Sequence, residues 1–296
     1  MIRNELTSAK DIEDISFDIL KGSKALGIFP TPIDQIVQYA ELRVNEKRDL
    51  SVIPKNYIGK STELLKKALR KVRGALDRRE KTIYLDLKQY PSRKKFITLH
   101  ETGHDLLPWQ KKSYEYIEDD EDSIDPETEE TFEAEASYFA SATLFQLDRF
   151  EEKLKQLPLA LKSAMALADK FGSSKHAAIR RYVECSNRRC ALLVLKDFHK
   201  ANKNAVLRNY FQSSNFTSDF GNLTWPETLN VNMPFIKDMI YNRKFHENGT
   251  IVYKDQDNGL MNFEYHFFNN SYNTFILLMP SGEKNKSRTR IIVNTN

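Results

Sequence analysis

His100 and His104 stand four residues apart in the run His100-Glu101-Thr102-Gly103-His104. On a helix that spacing sets both imidazoles on one face, one turn above the other. Two imidazoles held in this way can ligate one Zn²⁺ at about 2.0–2.1 Å each. Glu101 lies beside them without having to be a ligand. Its carboxylate can accept a proton from a water whose pKa the metal has lowered toward ~7. Gly103 faces away from the metal and lets another element approach the helix closely. This chemistry is that of a zinc hydrolase with Glu101 as general base.

A catalytic zinc keeps three protein ligands and one open position, so a third ligand must come from elsewhere in the chain. The segment FEAEASYFASATL supplies the candidate. At helical spacing, Phe132, Glu135, Phe139 and Leu144 fall near one stripe, with Ala136 and Ala140 alongside. A carboxylate on an apolar face is costly to bury unless it is paired or bound to a cation. Glu135 is therefore the expected third ligand. The competing reading is a helix-edge carboxylate that reaches water. Glu133 is expected to point elsewhere, into solvent.

The elements that position these residues follow from pattern. Ile12, Ile15, Ile19 and Leu20 predict a helix over 10–28, and Pro32 opens a second over 33–42. A third is expected over 62–70. Val72–Asp77 and the alternating run Thr82–Leu87, joined by RREK, predict a β-hairpin whose edge could pair with a peptide. Arg93–Leu107 reads as the helix of the histidines, closed by Pro108, and Glu130–Phe150 as a long helix carrying the third ligand. Phe96, Ile97 and Leu99 make the turn before His100 apolar, so that helix should be buried.

Helices are expected to continue to about residue 200. Beyond 210 the composition shifts. Alternating runs at Thr250–Tyr253, Leu260–Phe268, Thr274–Met279 and Thr289–Val293 are separated by turn-forming clusters, which predicts an antiparallel sheet. The expected architecture is α+β. A zincin-like peptidase domain (1–150) precedes a helical, helix-turn-helix-like segment (151–204) and a C-terminal antiparallel-sheet domain (205–296).

The chain has 296 residues, enough for more than one core. Its net charge of +4 permits nucleic-acid contact without arguing for it. No apolar run is long enough to span a bilayer, and MIRNELTSAKDIED lacks a secretory h-region. Two cysteines, Cys185 and Cys190, make no disulfide framework. A cytoplasmic protein without membrane partners is expected.

The segments GALDRREKTIYLDLKQYPSRKKFITLHETGHDLL and EAEASYFASATL together resemble the ImmA/IrrE family of metallopeptidases. Arg93 and Phe96 match the lead-in to the family's HExGH, and Glu135, Ala136, Phe139 and Ala140 match its Glu-Ala-x-x-Phe-Ala. The resemblance implies Zn²⁺, with Mn²⁺ as second choice, on His100, His104 and Glu135, and Glu101 as base. It implies an endopeptidase that cleaves a DNA-binding transcriptional repressor and so relieves repression of stress-response or mobile-element genes. ALADKFGSSKHAAIRRY is similar to the helix-turn-helix-like segment that follows the peptidase. Longer relatives add a sensor-like domain of GAF type, which residues 205–296 could be. Leu144-Phe145-Gln146 departs from the family's Leu-Met-Pro-like ending.

Lesser features have bland readings. YEYIEDDEDSIDPETEE is a solvated loop, or a lid selecting basic segments. The basic residues around Lys175–Arg189 buttress the fold rather than read DNA, the less favoured reading. Cys185, Cys190 and His199 lack the spacing of a zinc knuckle. His246 and His266 are structural. Tyr114, Tyr116 or a residue of the C-terminal domain are candidate oxyanion donors, and the sequence does not choose among them. The competing function is a DNA-binding or sensor-type regulator with a structural or vestigial metal site.

Overall fold

The computed structural model describes residues 6–46, 74–86, 89–113 and 125–283. The helix expected over 62–70, the strand Thr289–Val293, Tyr114, Tyr116 and most of the acidic stretch lie outside these residues. The chain divides into two compact units, Met1–Phe150 with Ala168–Ser174, and Glu151–Leu167 with Lys175–Asn296. The fold is α+β, as expected.

In the first unit, α1 (Ala9–Gly22) and α2 (Ile33–Tyr39) precede a small sheet of β1 (Arg43–Asn45), β2 (Gly74–Asp77) and β3 (Thr82–Leu85). The strand order is β1-β3-β2, with β1 parallel and β2 antiparallel to β3. Helix α3 (Pro91–Leu106) follows. Tyr90 is extended, as a residue before proline must be, and Pro91 occupies the first turn, where a missing N–H costs nothing. Leu107 is extended before Pro108 and ends the helix, and residues 108–113 form a further helical turn.

Helix α4 (Pro126–Leu144) starts earlier than the sequence pattern suggested, because Asp125 caps it by accepting from the Glu127 and Thr128 amides. It also stops earlier. Gln146 and Leu147 have φ of 50° and 58°, and α5 begins only at Arg149 (Arg149–Lys155). The cause is tertiary. The buried Gln146 amide donates to the Ile28 carbonyl at 2.8 Å and accepts from the Gly27 amide at 2.7 Å, which pulls the chain off its helical path.

Ile12, Leu20, Ile36, Ile83, Leu85, Ile97, Leu99, Phe139 and Leu144 form the core of this unit. Gly103 is where α3 meets α4, since a Cβ there would lie 2.9 Å from Phe139 Cδ1 and 3.4 Å from Ala136 Cα. Gly103→Val drives two methyl groups into that contact. It is expected to lower stability by about 1–3 kcal/mol, read as a lower urea midpoint at unchanged slope.

Helix α6 (Leu161–Phe171) belongs in part to each unit. In the second unit, α7 (Lys175–Glu184) buries Ala178, Ile179, Tyr182 and Val183. A six-stranded antiparallel sheet follows, built from β4 (Ala191–His199), β5 (Asn204–Gln212), β6 (Thr228–Leu229), β7 (Phe245–Lys254), β8 (Leu260–Asn269) and β9 (Thr274–Pro280). Its order is β6-β5-β4-β9-β8-β7. The short helices α8 (Ser214–Phe220) and α9 (Pro234–Ile240) interrupt the strands.

Strand β4 corrects the expectation of helices to residue 200. Ala191–Leu195 is an unbroken apolar run, wholly buried on both faces, and periodicity cannot tell such a strand from a buried helix. The sheet therefore starts before residue 205. The basic residues of α7 lie against this unit's own aromatics, Lys175 over Phe268 and Arg180 over Phe211, while Arg180 also pairs with Glu184.

Candidate metal centre

Helix α3 presents His100 and His104 on one face, as their spacing requires, with ring centroids 4.8 Å apart and planes at 85°. Ile97 and Leu99 bury the surrounding turn. The two Nε2 atoms face each other at 3.2 Å. From α4, Glu133 closes the triangle, with Oε2 3.3 Å from His100 Nε2 and Oε1 3.3 Å from His104 Nε2. Among the described residues, His100, His104 and Glu133 are the one group of His, Cys, Asp or Glu side chains placed to hold a metal ion.

The donor set fits zinc. Tetrahedral ligands about 2.0–2.1 Å from Zn²⁺ stand about 3.3–3.4 Å from one another; the two ring nitrogens are 3.2 Å apart, and each has a different Glu133 oxygen at 3.3 Å. Two neutral imidazoles and one carboxylate are also a common catalytic zinc set, with the fourth position left for solvent or substrate. Glu133 is the exposed side of the cluster, its side chain 35% accessible against 3% for His100 and 7% for His104.

Electrostatics agree with this grouping. Burial opposes ionisation of Glu133, but hydrogen bonds and attraction from His100 and His104 outweigh it and hold the carboxyl well below the usual carboxylate range. Burial likewise disfavours the charged form of His100, yet the Glu133 hydrogen bond and the charges of Glu101 and Glu133 raise its pKa on balance. Glu101 is buried next to the cluster, and burial raises its carboxyl above the usual range against the pull of His100 and His104. Strand β2 makes room for it, since a Cβ on Gly74 would come within 3.3 Å of Glu101 Oε1.

Glu135, expected as the third ligand, is not in the cluster. It is buried, as its apolar stripe required, but protein donors satisfy it. Trp109 Nε1 donates to Oε2 at 2.7 Å, Gln110 Nε2 to Oε2 at 2.8 Å, and Ser8 Oγ to Oε1 at 2.5 Å. Residues two apart on a helix differ by about 200°, so Glu133 and Glu135 cannot aim at the same point. Glu133, expected to point away into solvent, faces both histidines while its side chain stays 35% accessible. The sequence signal was the i, i+4 pair Glu133 and Ser137, since Ser137 Oγ lies 3.3 Å from His100 Nδ1. Gln110 and Trp109 had no signal in sequence.

The remaining candidates separate. Cys185, Cys190 and His199 do not gather into a metal-ligating group among the described residues. Burial pushes the Cys190 thiol up to about 12 and raises that of Cys185 as well. At mildly alkaline pH a disulfide reagent is expected to leave Cys190 untouched in the folded protein and to titrate both thiols in concentrated guanidinium. His266 is buried and accepts at Nδ1 from the Leu161 amide at 3.4 Å. His246 does have an acidic neighbour, Asp238, whose Oδ2 also accepts from Tyr265 at 2.8 Å and whose Oδ1 pairs with Arg243.

Residues 60–182 match the model of the Peptidase_M78 family, described as the IrrE N-terminal-like domain. The match supports the resemblance to the ImmA/IrrE family over these residues. Both helices of the His-His-Glu cluster lie inside the match, which supports a metallopeptidase-like domain. No curated protein sequence matches the chain. A Mycobacterium tuberculosis transcriptional regulator of known structure is similar in fold, at 12% identity and a TM-score of 0.55, over 99% of this chain and 94% of that one. No helix among the described residues is long and apolar enough to cross a membrane.

Proposed function

We propose that the chain is a zinc-dependent endopeptidase that cleaves a protein substrate, a DNA-binding transcriptional repressor, in the cytoplasm. The observation that carries this reading is the convergence of His100, His104 and Glu133 within 3.2–3.3 Å of one another, with Glu101 buried alongside. Held by those three side chains, Zn²⁺ supplies Lewis-acid polarisation of the scissile carbonyl and of water.

The protein's own groups do the rest. Glu101 takes the proton from the attacking water and returns it to the leaving amine. Burial raises its carboxyl above the usual range, which favours keeping the proton until the amine leaves. Strand β2 pairs with β3 alone among the described residues, so its other edge offers backbone groups to an extended peptide passing Glu101.

The likeness of fold to a transcriptional regulator supports a regulatory setting, and the second unit's antiparallel sheet supports a sensor-like role for it. The test is incubation of the zinc-loaded protein with repressors encoded near its gene. Cleavage fragments are expected that vanish with a chelator and with Glu101→Gln. The competing reading, a regulator whose metal site is vestigial, requires tight zinc without any cleavage.

A further inference from the structure

Gln110 lies in the helical turn 108–113 and is wholly buried. Its amide is held at both ends. Nε2 is 3.1 Å from the Phe132 carbonyl oxygen and 2.8 Å from Glu135 Oε2, while Oε1 is 2.8 Å from His104 Nδ1. A carbonyl oxygen can only accept, and Glu135 already receives protons from Trp109 and Ser8. A flipped amide would set its oxygen against these acceptors, so the NH₂ must point to them and the oxygen to His104. An amide oxygen has no proton to give, and the hydrogen of the last contact therefore belongs to Nδ1.

We infer that Gln110, braced by Glu135, is the positioning residue that fixes the tautomer and ring orientation of His104. The inference rests on the metal-centre reading above. In neutral His104 the proton sits on Nδ1, and the lone pair sits on Nε2. That is the nitrogen that faces His100 Nε2 and Glu133. A metal can bind only at the unprotonated nitrogen, and which nitrogen that is depends on the hydrogen bond the other one makes. The Glu135 carboxylate is thus part of the centre without touching the ion. It fixes Gln110, which fixes His104. The arrangement draws on α1 through the residue before it, Ser8, on the turn 108–113, on α3 and on α4.

The test reads the imidazole nitrogens of the zinc-free protein by NMR, alongside Zn²⁺ affinity from competition with a chelating dye. In the wild type, neutral His104 is expected to carry its proton on Nδ1. Gln110→Leu is expected to shift it toward Nε2 and to weaken Zn²⁺ binding by about 10–100-fold, with the fold checked by near-UV circular dichroism. Gln110→Asn keeps the amide but is one methylene shorter, which draws its oxygen back from His104 Nδ1. It is expected to show both changes in smaller measure.

A wild-type His104 protonated on Nε2 overturns the inference. So does a folded Gln110→Leu that binds Zn²⁺ like the wild type. If Gln110→Leu does not fold, Gln110→Asn decides, and a folded variant with the wild-type proton position and Zn²⁺ affinity overturns it. A wild type that keeps the Nδ1 proton but binds no Zn²⁺ would instead refute the metal-centre reading and leave the hydrogen-bond assignment standing.

Discussion

Glu101→Gln is expected to slow peptide hydrolysis by about 10²–10⁴-fold while the protein stays folded and keeps its zinc. The amide has nearly the shape of the carboxyl, so the space beside Gly74 stays filled. It cannot accept a proton from water. Burial already works against the charged form of Glu101, so replacing it with a neutral group removes a cost rather than adding one. The separations among His100, His104 and Glu133 do not depend on it. Rates on the cleaved repressor, with metal content measured on the same samples, decide the matter. A variant that cleaves at the wild-type rate would remove Glu101 from the mechanism.

Glu133→Ala is expected to weaken Zn²⁺ binding by more than about 100-fold and to abolish hydrolysis with it, because removing a ligand exceeds the loss caused by residues behind the ligands. The comparison that gives the experiment its force is Glu135→Ala. That change leaves the Trp109 and Gln110 donors without their buried acceptor, at about 1–3 kcal/mol for each unsatisfied group. Its main effect should therefore be on stability, with a weaker one on affinity through Gln110. The two carboxylates are two residues apart in sequence and differ in what they face. If Glu135→Ala loses zinc outright while Glu133→Ala keeps it, the ligand assignment is reversed.

Much of the first unit could be read directly. The hairpin around RREK, the α3 helix and its stop at Pro108, and the close helix approach at Gly103 all follow from local rules that the tertiary structure had no reason to override. The end of α4 could not be read in this way. Glu130–Phe150 has helical composition throughout, yet the Gln146 side chain finds partners in residues 25–31, over a hundred positions away, and the helix breaks there. Ala191–Leu195 illustrates a second limit. Strand and helix bury an apolar run equally well, and only pairing with β5 and β9 selects the strand.

By itself, the sequence determined that two imidazoles share one helical face with a carboxylate beside them, because on a helix a spacing of four at 3.6 residues per turn leaves no other arrangement. It also placed Glu135 on an apolar stripe, which favoured burial over a helix-edge carboxylate reaching water. Tertiary structure alone decided what that burial is for. A buried carboxylate needs counterparts, and helical periodicity does not say whether they are an ion or protein donors. Trp109, Gln110 and Ser8 reached Glu135, and the opposite face of the same helix turned Glu133 toward the histidines.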